Sequence, residues 1–185
     1  TNYREHAEEV GHTGDPFVFP KFSHLTAWNA NVVIGTRLDY ELELCAVPLT
    51  DYSATEPARF GYILCGDFTD RWLLLRQMDI GGPMGPTGFA AGKGGATRFP
   101  VGSLLVIPDS ETFYQEIELK LYLNGELRQR SLAGLMIWTP QQILDAALKA
   151  CDVPYYLGDE ATAVTPSCEC IPRGTLLLTG TPGGV

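Results

Sequence analysis

Glu41 and Glu43 stand two residues apart in 38–48, a run (Leu-Asp-Tyr-Glu-Leu-Glu-Leu-Cys-Ala-Val-Pro) that alternates polar and apolar residues. A period of two marks a β-strand, and on a strand residues i and i+2 point to the same face. Two carboxylates held side by side repel unless a cation or a proton lies between them. Asp67 follows a second apolar run, Phe60 to Gly66, and opens a polar turn, a common seat for a functional carboxylate. The three residues offer oxygen ligands only, with no cysteine or histidine beside them. That donor set suits a hard divalent cation, Mg²⁺ first and Mn²⁺ or Ca²⁺ as alternatives, rather than Zn²⁺ or Cu²⁺. Three protein ligands would leave positions for substrate and water. The solvated face of a strand in an acidic protein would show the same spacing.

Other side chains with chemistry to offer are few. His6 and Glu9 lie three apart in 1–11, which patterns as a helix, so they share a face. A histidine oriented by a carboxylate can hold a water and take its proton, although a lone histidine serves as readily in structure. Lys93 sits in Ala-Gly-Lys-Gly within 81–95, a stretch rich in Gly and Pro that reads as a loop. Loops of that length inside a compact domain are usually functional or mobile. Residues alone would make Lys93 a solvated loop lysine.

The remaining pattern sets the frame for these groups. Residues 31–34, 60–67, 104–107, 116–123 and 175–178 read as strands, and 54–58 as the start of a short helix. Asn124-Gly125 is a hairpin turn signal. Thr139-Pro140-Gln141-Gln142 opens a helix to about Ala150, with Thr139 as N-cap and Pro140 at the first helical position. A β-rich α+β domain over 1–185 follows. The formal net charge of -9 argues against nucleic acid as the main partner. No stretch approaches the roughly 18 apolar residues of a membrane span. The first residues are polar, unlike a signal peptide. Five cysteines are an odd number in a chain too large to depend on disulfides, so they are read as reduced and the protein as cytoplasmic. Cys168 and Cys170 lack a second Cys/His pair for zinc.

Six motifs in order resemble the fumarylacetoacetate hydrolase family: Asn2-Tyr3-x-x-His6-Ala7-x-Glu9, Phe19-x-Lys21, Asp39-Tyr40-Glu41-x-Glu43-Leu44, Gly66-Asp67-x-Thr69-x-Arg71, Asn124-Gly125-Glu126-x-Arg128-Gln129 and Thr179-Gly180-Thr181-Pro182-x-Gly184-Val185. The pattern is most similar to the acylpyruvase, oxaloacetate decarboxylase and hydroxymuconate isomerase group. The resemblance implies a mixed, rolled β-sheet barrel with peripheral helices, usually dimeric, and Glu41, Glu43 and Asp67 as metal ligands. It implies a small anionic 2-oxo acid or 1,3-dicarbonyl substrate and C–C hydrolysis, with decarboxylation, isomerisation or hydration as alternatives on the same scaffold. It places the His6–Glu9 helix over the metal pocket, with His6 as general base and Glu9 as its orienter. It assigns Lys93 to a developing enolate or oxyanion, with Thr97 four residues on. Lys21, Arg71 and Thr181 are candidate substrate contacts, Arg71 equally an ion-pair residue beside the metal. The departures are Leu74, where the family commonly has Gln, a Gly-rich stretch at 81–97, and an insertion at 151–170. They leave open a metal-binding homologue with impaired chemistry. The chain also starts abruptly and stops where the family usually continues, as a fragment would.

Overall fold

The computed structural model describes residues 1–78, 86–157 and 159–185. In chain order the elements are α1 (Arg4–Glu9), β1 (Leu25–Ala27), β2 (Leu38–Asp39), β3 (Leu42–Pro48), β4 (Phe60–Gly66), β5 (Thr69–Asp70), α2 (Arg71–Arg76), α3 (Pro86–Lys93), β6 (Phe99–Val101), β7 (Glu118–Leu123), β8 (Glu126–Leu132), α4 (Pro140–Lys149), β9 (Tyr155–Leu157), β10 (Glu160–Thr162) and β11 (Leu177–Leu178), with short 3₁₀ turns at Phe113–Glu116 and Ala133–Leu135. The fold is β-rich α+β.

A five-stranded sheet in the order β1-β6-β4-β3-β11 forms the centre. β1 pairs with β6 in parallel and the other pairings are antiparallel, so the sheet is mixed. Among the described residues it is open, with β1 and β11 at its edges, and no barrel closes. The long pair is β3 with β4, in register from Leu42 opposite Gly66 to Pro48 opposite Phe60. Both faces of β3 are covered. Leu44 and Ala46 join the main core with Tyr52, Tyr62, Leu119, Leu144 and Ile171, and Cys45 packs with Cys65 and Phe99 on the other side.

The run at 38–48 is not one strand. It breaks at Tyr40–Glu41: β2 turns away to pair with β5, and the Glu41 carbonyl accepts the Asp67 N–H at 3.0 Å instead of extending the ladder. Gly66 permits this crossing, because a Cβ there would meet the Glu41 carbonyl oxygen at 3.3 Å and the Phe68 and Pro100 rings at 3.0 Å. The segment at 104–107 contributes one bridge, Val106 to Tyr62, and no strand. Residues 31–34 and 54–58 are irregular.

Two local signals hold. Thr139 caps α4 in a reciprocal box with Gln142, and Pro140 sits at its first position. Asn124 and Gly125 take φ of 53° and 85°, which fits the tight turn between β7 and β8.

The Gly-rich stretch departs from expectation. Its first part, 81–85, lies outside the described residues, but Pro86–Lys93 is the helix α3 rather than a loop. Its glycines serve close approach, not turning. A Cβ on Gly92 would lie 2.5 Å from the Leu74 Cβ and 3.1 Å from the Asp70 carbonyl oxygen, and one on Gly88 would lie 3.0 Å from the Leu74 carbonyl oxygen. Spaced four apart, they give α3 a bare face against α2. Asp70 caps α2 by accepting from Trp72 N and Leu73 N.

The cysteines also depart from the reduced state expected of them. Cys45 and Cys65 lie diagonally across β3 and β4, 5.8 Å apart at Cα, and form a disulfide, as do Cys151 and Cys168. Cys170 is free. The odd count hid two pairs and one remainder. Denatured without reductant, the chain is expected to titrate one thiol, against five after reduction; five without reductant would exclude both bridges. Gly92→Ala should destabilise by about 1–3 kcal/mol in urea unfolding, because the added methyl overpacks the α2–α3 contact.

Candidate active site

Glu41, Glu43 and Asp67 converge, each offering an oxygen within 4.8 Å of the others, at 3%, 3% and 4% exposure. The solvated acidic strand is thereby excluded. Burying carboxylates requires partners, and most of the neighbourhood supplies them. Lys93, at the C-terminal end of α3, donates to Glu41 Oε2 and Asp67 Oδ2 at 2.6 Å each, and to Thr69 Oγ1 at 2.8 Å. Lys21 Nζ lies 2.6 Å from Asp67 Oδ1 and donates to the Lys93 carbonyl at 2.7 Å. Arg71 bridges Glu41 Oε1 at 2.8 Å and Asp39 Oδ2 at 3.1 Å.

The pairing is uneven. Burial alone would raise the Asp67 pKa, but Lys21 and Lys93 outweigh it and hold the carboxyl down to about 2. Burial lowers the pKa of Lys21, whereas on Lys93 Asp67 and Glu41 overcome burial and raise it, so Lys93 keeps its charge. Glu43 makes no ion pair among the described residues, although Lys93 and the Thr1 amine act on it from farther off. Its one hydrogen bond comes from Gly180 N–H at 2.7 Å. Burial, then repulsion from Asp67 and Glu41, pushes its pKa up to about 8. A divalent cation fits this set: the donors are all carboxylate oxygens, and one of the carboxylates makes no ion pair among the described residues.

The cluster opens into a cavity of about 420 Å³, within the range of small-molecule sites. His6 lines it, buried, with its pKa lowered first by desolvation. His6 Nδ1 is 3.6 Å from Glu9 Oε2, and Glu9 Oε1 accepts the Gly184 N–H at 2.7 Å. The structure thus brings His6, Glu9, Lys21, Arg71, Lys93 and the three carboxylates to one place. Thr181 also lines the cavity, but its hydroxyl is engaged, donating to the Leu42 carbonyl at 2.9 Å and accepting from Gln129 Nε2 at 2.7 Å. Thr97 is not among the residues lining the cavity; its hydroxyl accepts the Val33 N–H at 2.8 Å.

Several supporting residues have no chemistry that spacing could flag. Thr69 donates to Glu41 Oε1 and accepts from Lys93. Gln129, fully buried on β8, accepts the Leu42 N–H and donates to Thr181 Oγ1 and the Pro182 carbonyl. Asn2 brackets Trp138 through both its N–H and its carbonyl and donates to the Thr179 carbonyl. Thr69 lies inside the turn motif and Gln129 ends the hairpin motif, which were the available signals. Leu74, 2% exposed, lines the cavity from α2.

Comparisons with known proteins agree with this geometry. The family model described as fumarylacetoacetate (FAA) hydrolase C-terminal matches residues 1–185. The chain is 28% identical to oxaloacetate tautomerase YisK of Bacillus subtilis, covering 100% of this chain and 57% of that protein. It is 29% identical to 2,4-didehydro-3-deoxy-L-rhamnonate hydrolase of Sphingomonas sp., covering 100% and 59%. It therefore spans less than two thirds of the length of these relatives. Among solved structures, fumarylpyruvate hydrolase from Pseudomonas aeruginosa, in complex with Mn²⁺ and pyruvate, superposes with a TM-score of 0.68 at 24% identity over 99% of this chain and 75% of that one. 5-Carboxymethyl-2-hydroxymuconate delta-isomerase from Mycobacterium smegmatis gives a TM-score of 0.58 at 21% identity over 100% and 66%. With the family model matching from end to end, the chain belongs to the fumarylacetoacetate hydrolase C-terminal family.

Proposed function

We propose that this chain forms the catalytic part of a divalent-metal enzyme that hydrolyses a C–C bond in a small 2-oxo acid or 1,3-dicarbonyl acid. The observation that carries this is the buried carboxylate cluster, braced by Lys21 and Lys93, beside the His6–Glu9 pair in one cavity. The Mn²⁺ and pyruvate bound by the Pseudomonas hydrolase support the same substrate class. Mg²⁺ is the proposed native ion. Two copies are the proposed assembly, while the two disulfides remove the ground on which the cytoplasm was expected.

Glu41, Glu43 and Asp67 would hold the cation, which supplies Lewis-acid activation of a carbonyl oxygen when bound. Glu43 must then release the proton it keeps in the free protein. Lys93, held charged with its three N–H groups on Glu41, Asp67 and Thr69, would act on negative charge developing on the substrate through its field, which is strongest in a dry site. Lys21 and Arg71 supply positive charge for the substrate carboxylate. His6 Nδ1 has no hydrogen-bond partner among the described residues and stands 3.6 Å from Glu9 Oε2; a small closure of that gap would hold the proton on Nδ1 and leave Nε2 to take one, from water in hydrolysis or from substrate carbon in enolisation. A second proposal, isomerisation or decarboxylation at the same site, is favoured by Leu74: an apolar side chain there cannot hydrogen-bond an attacking water.

Isothermal titration of Mg²⁺ should show affinity rising about tenfold per pH unit up to about pH 8, with a proton released on binding, because the raised Glu43 pKa makes ion and proton compete. The same shift weakens the metal-free fold as pH rises from 4.5 through about 8, so added Mg²⁺ should raise Tm more at pH 8 than at pH 6. Affinity independent of pH would reject Glu43 as a ligand. In a screen of 2-oxo and 1,3-dicarbonyl acids, His6→Ala should lower kcat by about 10²–10⁴ with Mg²⁺ affinity unchanged. Full turnover in that variant would remove His6 from the mechanism.

A further inference from the structure

The cavity is chemically two-sided. All its lysines and arginines, Lys21, Arg71 and Lys93, stand at the carboxylate end and are already ion-paired there. Of its histidines, His6 is buried with a lowered pKa, and the His12 ring nitrogen pairs with the Asp15 carbonyl at 3.0 Å. The residues outside the described structure, 79–85 and 158, include no Lys, Arg or His.

The rest of the wall is mainly apolar, with His12 set edge-on to Phe17 at 5.7 Å and Asn2, Thr165, Thr175 and Thr179 as polar exceptions. Phe19 and Phe89 stack at 4.3 Å, Phe17 packs against both, and the Phe19 ring centroid is 5.8 Å from Lys93 Nζ. Val18, Ala147 and Val164 also line the cavity; Ala147 belongs to the main hydrophobic core, and Val18 and Val164 pack against it. The cavity therefore runs from a charged end into a site built like a protein interior.

Charge points the same way. At the polar end three side-chain cations face four carboxylates, Asp39 included, with the Thr1 amine beside them held toward its neutral form by burial. A divalent ion would leave a single net positive charge, enough for one substrate carboxylate. A second carboxylate would have to lie against Phe, Val and Ala side chains with no lysine or arginine to meet it and only the half-buried His12 ring, already bonded to the Asp15 carbonyl, near Phe17.

We infer that the substrate is a monocarboxylate: a 2-oxo or 1,3-dicarbonyl acid whose far end is an uncharged alkyl or aryl group seated among Phe17, Phe19, Phe89, Val18 and Val164. This rests on the substrate class proposed above and adds the nature of the distal group. It sets the chain apart from a preference for diacids.

The test is calorimetric binding of unreactive mimics to the Mg²⁺-loaded protein: oxamate, N-butyl oxamate and N-(3-carboxypropyl) oxamate. The butyl compound should bind tens of times tighter than oxamate, at roughly fourfold per buried methylene. The carboxypropyl compound should bind no tighter than oxamate. Carboxypropyl binding tighter than butyl, or butyl gaining nothing over oxamate, would overturn the inference while oxamate binding upholds the proposed substrate class. If none of the three binds, both fall. Val164→Lys places an ammonium in the apolar wall and should reverse the butyl-to-carboxypropyl preference. An unreversed preference in the folded variant counts against the inference, and if that variant does not fold the wild-type ratios decide alone.

Discussion

Three carboxylates buried within 4.8 Å of one another are the constraint around which this structure is arranged. Left alone they would repel and lose hydration together, a cost that either neutralises them or displaces them to the surface. Lys93 is the main answer, and its delivery explains the oddest part of the sequence. Lys93 ends α3, and α3 reaches the cluster only because Gly88 and Gly92 let it lie directly on α2 and β5. The Gly-rich stretch is thus a packing device in service of one ammonium group. Leu74 is the other half of that contact, which gives an apolar residue at this position a structural reason beside any chemical one.

The second requirement is to hold backbone segments that are remote in sequence around the cluster. The Glu41 carbonyl takes the Asp67 N–H, Gly180 N–H caps Glu43, and Gly184 N–H fixes Glu9. Gly180 itself, at φ 96°, sits against Asn2, where a Cβ would come within 2.7 Å of the Asn2 side chain. Asn2 and Gln129 then tie the first residues, the hairpin and the C-terminal turn to β3. The disulfide between Cys45 and Cys65 joins the same two strands, two residues along from Glu43 and from Asp67. The geometry of the three carboxylates rests on these fixed elements rather than on the side chains alone.

How much of this was legible depended on whether a signal was local. The α4 capping box, the Asn-Gly turn and the period-two run could be read because the residues that decide them lie within a few positions of one another. Glu41 and Glu43 were placed together correctly, though not by the continuous strand that their spacing suggested; the break at Tyr40–Glu41 comes from Asp67 and β5, partners no local pattern reveals. α3 was missed because glycine reads as a loop former, and only the facing helix shows that it is needed for approach. The disulfides were missed because an odd cysteine count carries no pairing information, whereas diagonal positions on paired strands do. Thr69 and Gln129 act purely through hydrogen bonds, to which spacing is blind.

The unequal compensation of the cluster bears on what kind of metal site it can be. Glu41 and Asp67 already share lysines, so an incoming cation competes with ammonium groups for those two ligands and with a proton for the third. Each competition subtracts from affinity. A structural site would gain from the opposite arrangement, with ligands left unneutralised so that the ion alone holds them. Here Glu41 and Asp67 are held by lysines, and Glu43 by a backbone donor, without an ion, so little reorganisation would be needed for one to bind. Weaker, exchangeable binding to a prearranged site suits an ion whose work is on substrate oxygens rather than on the fold.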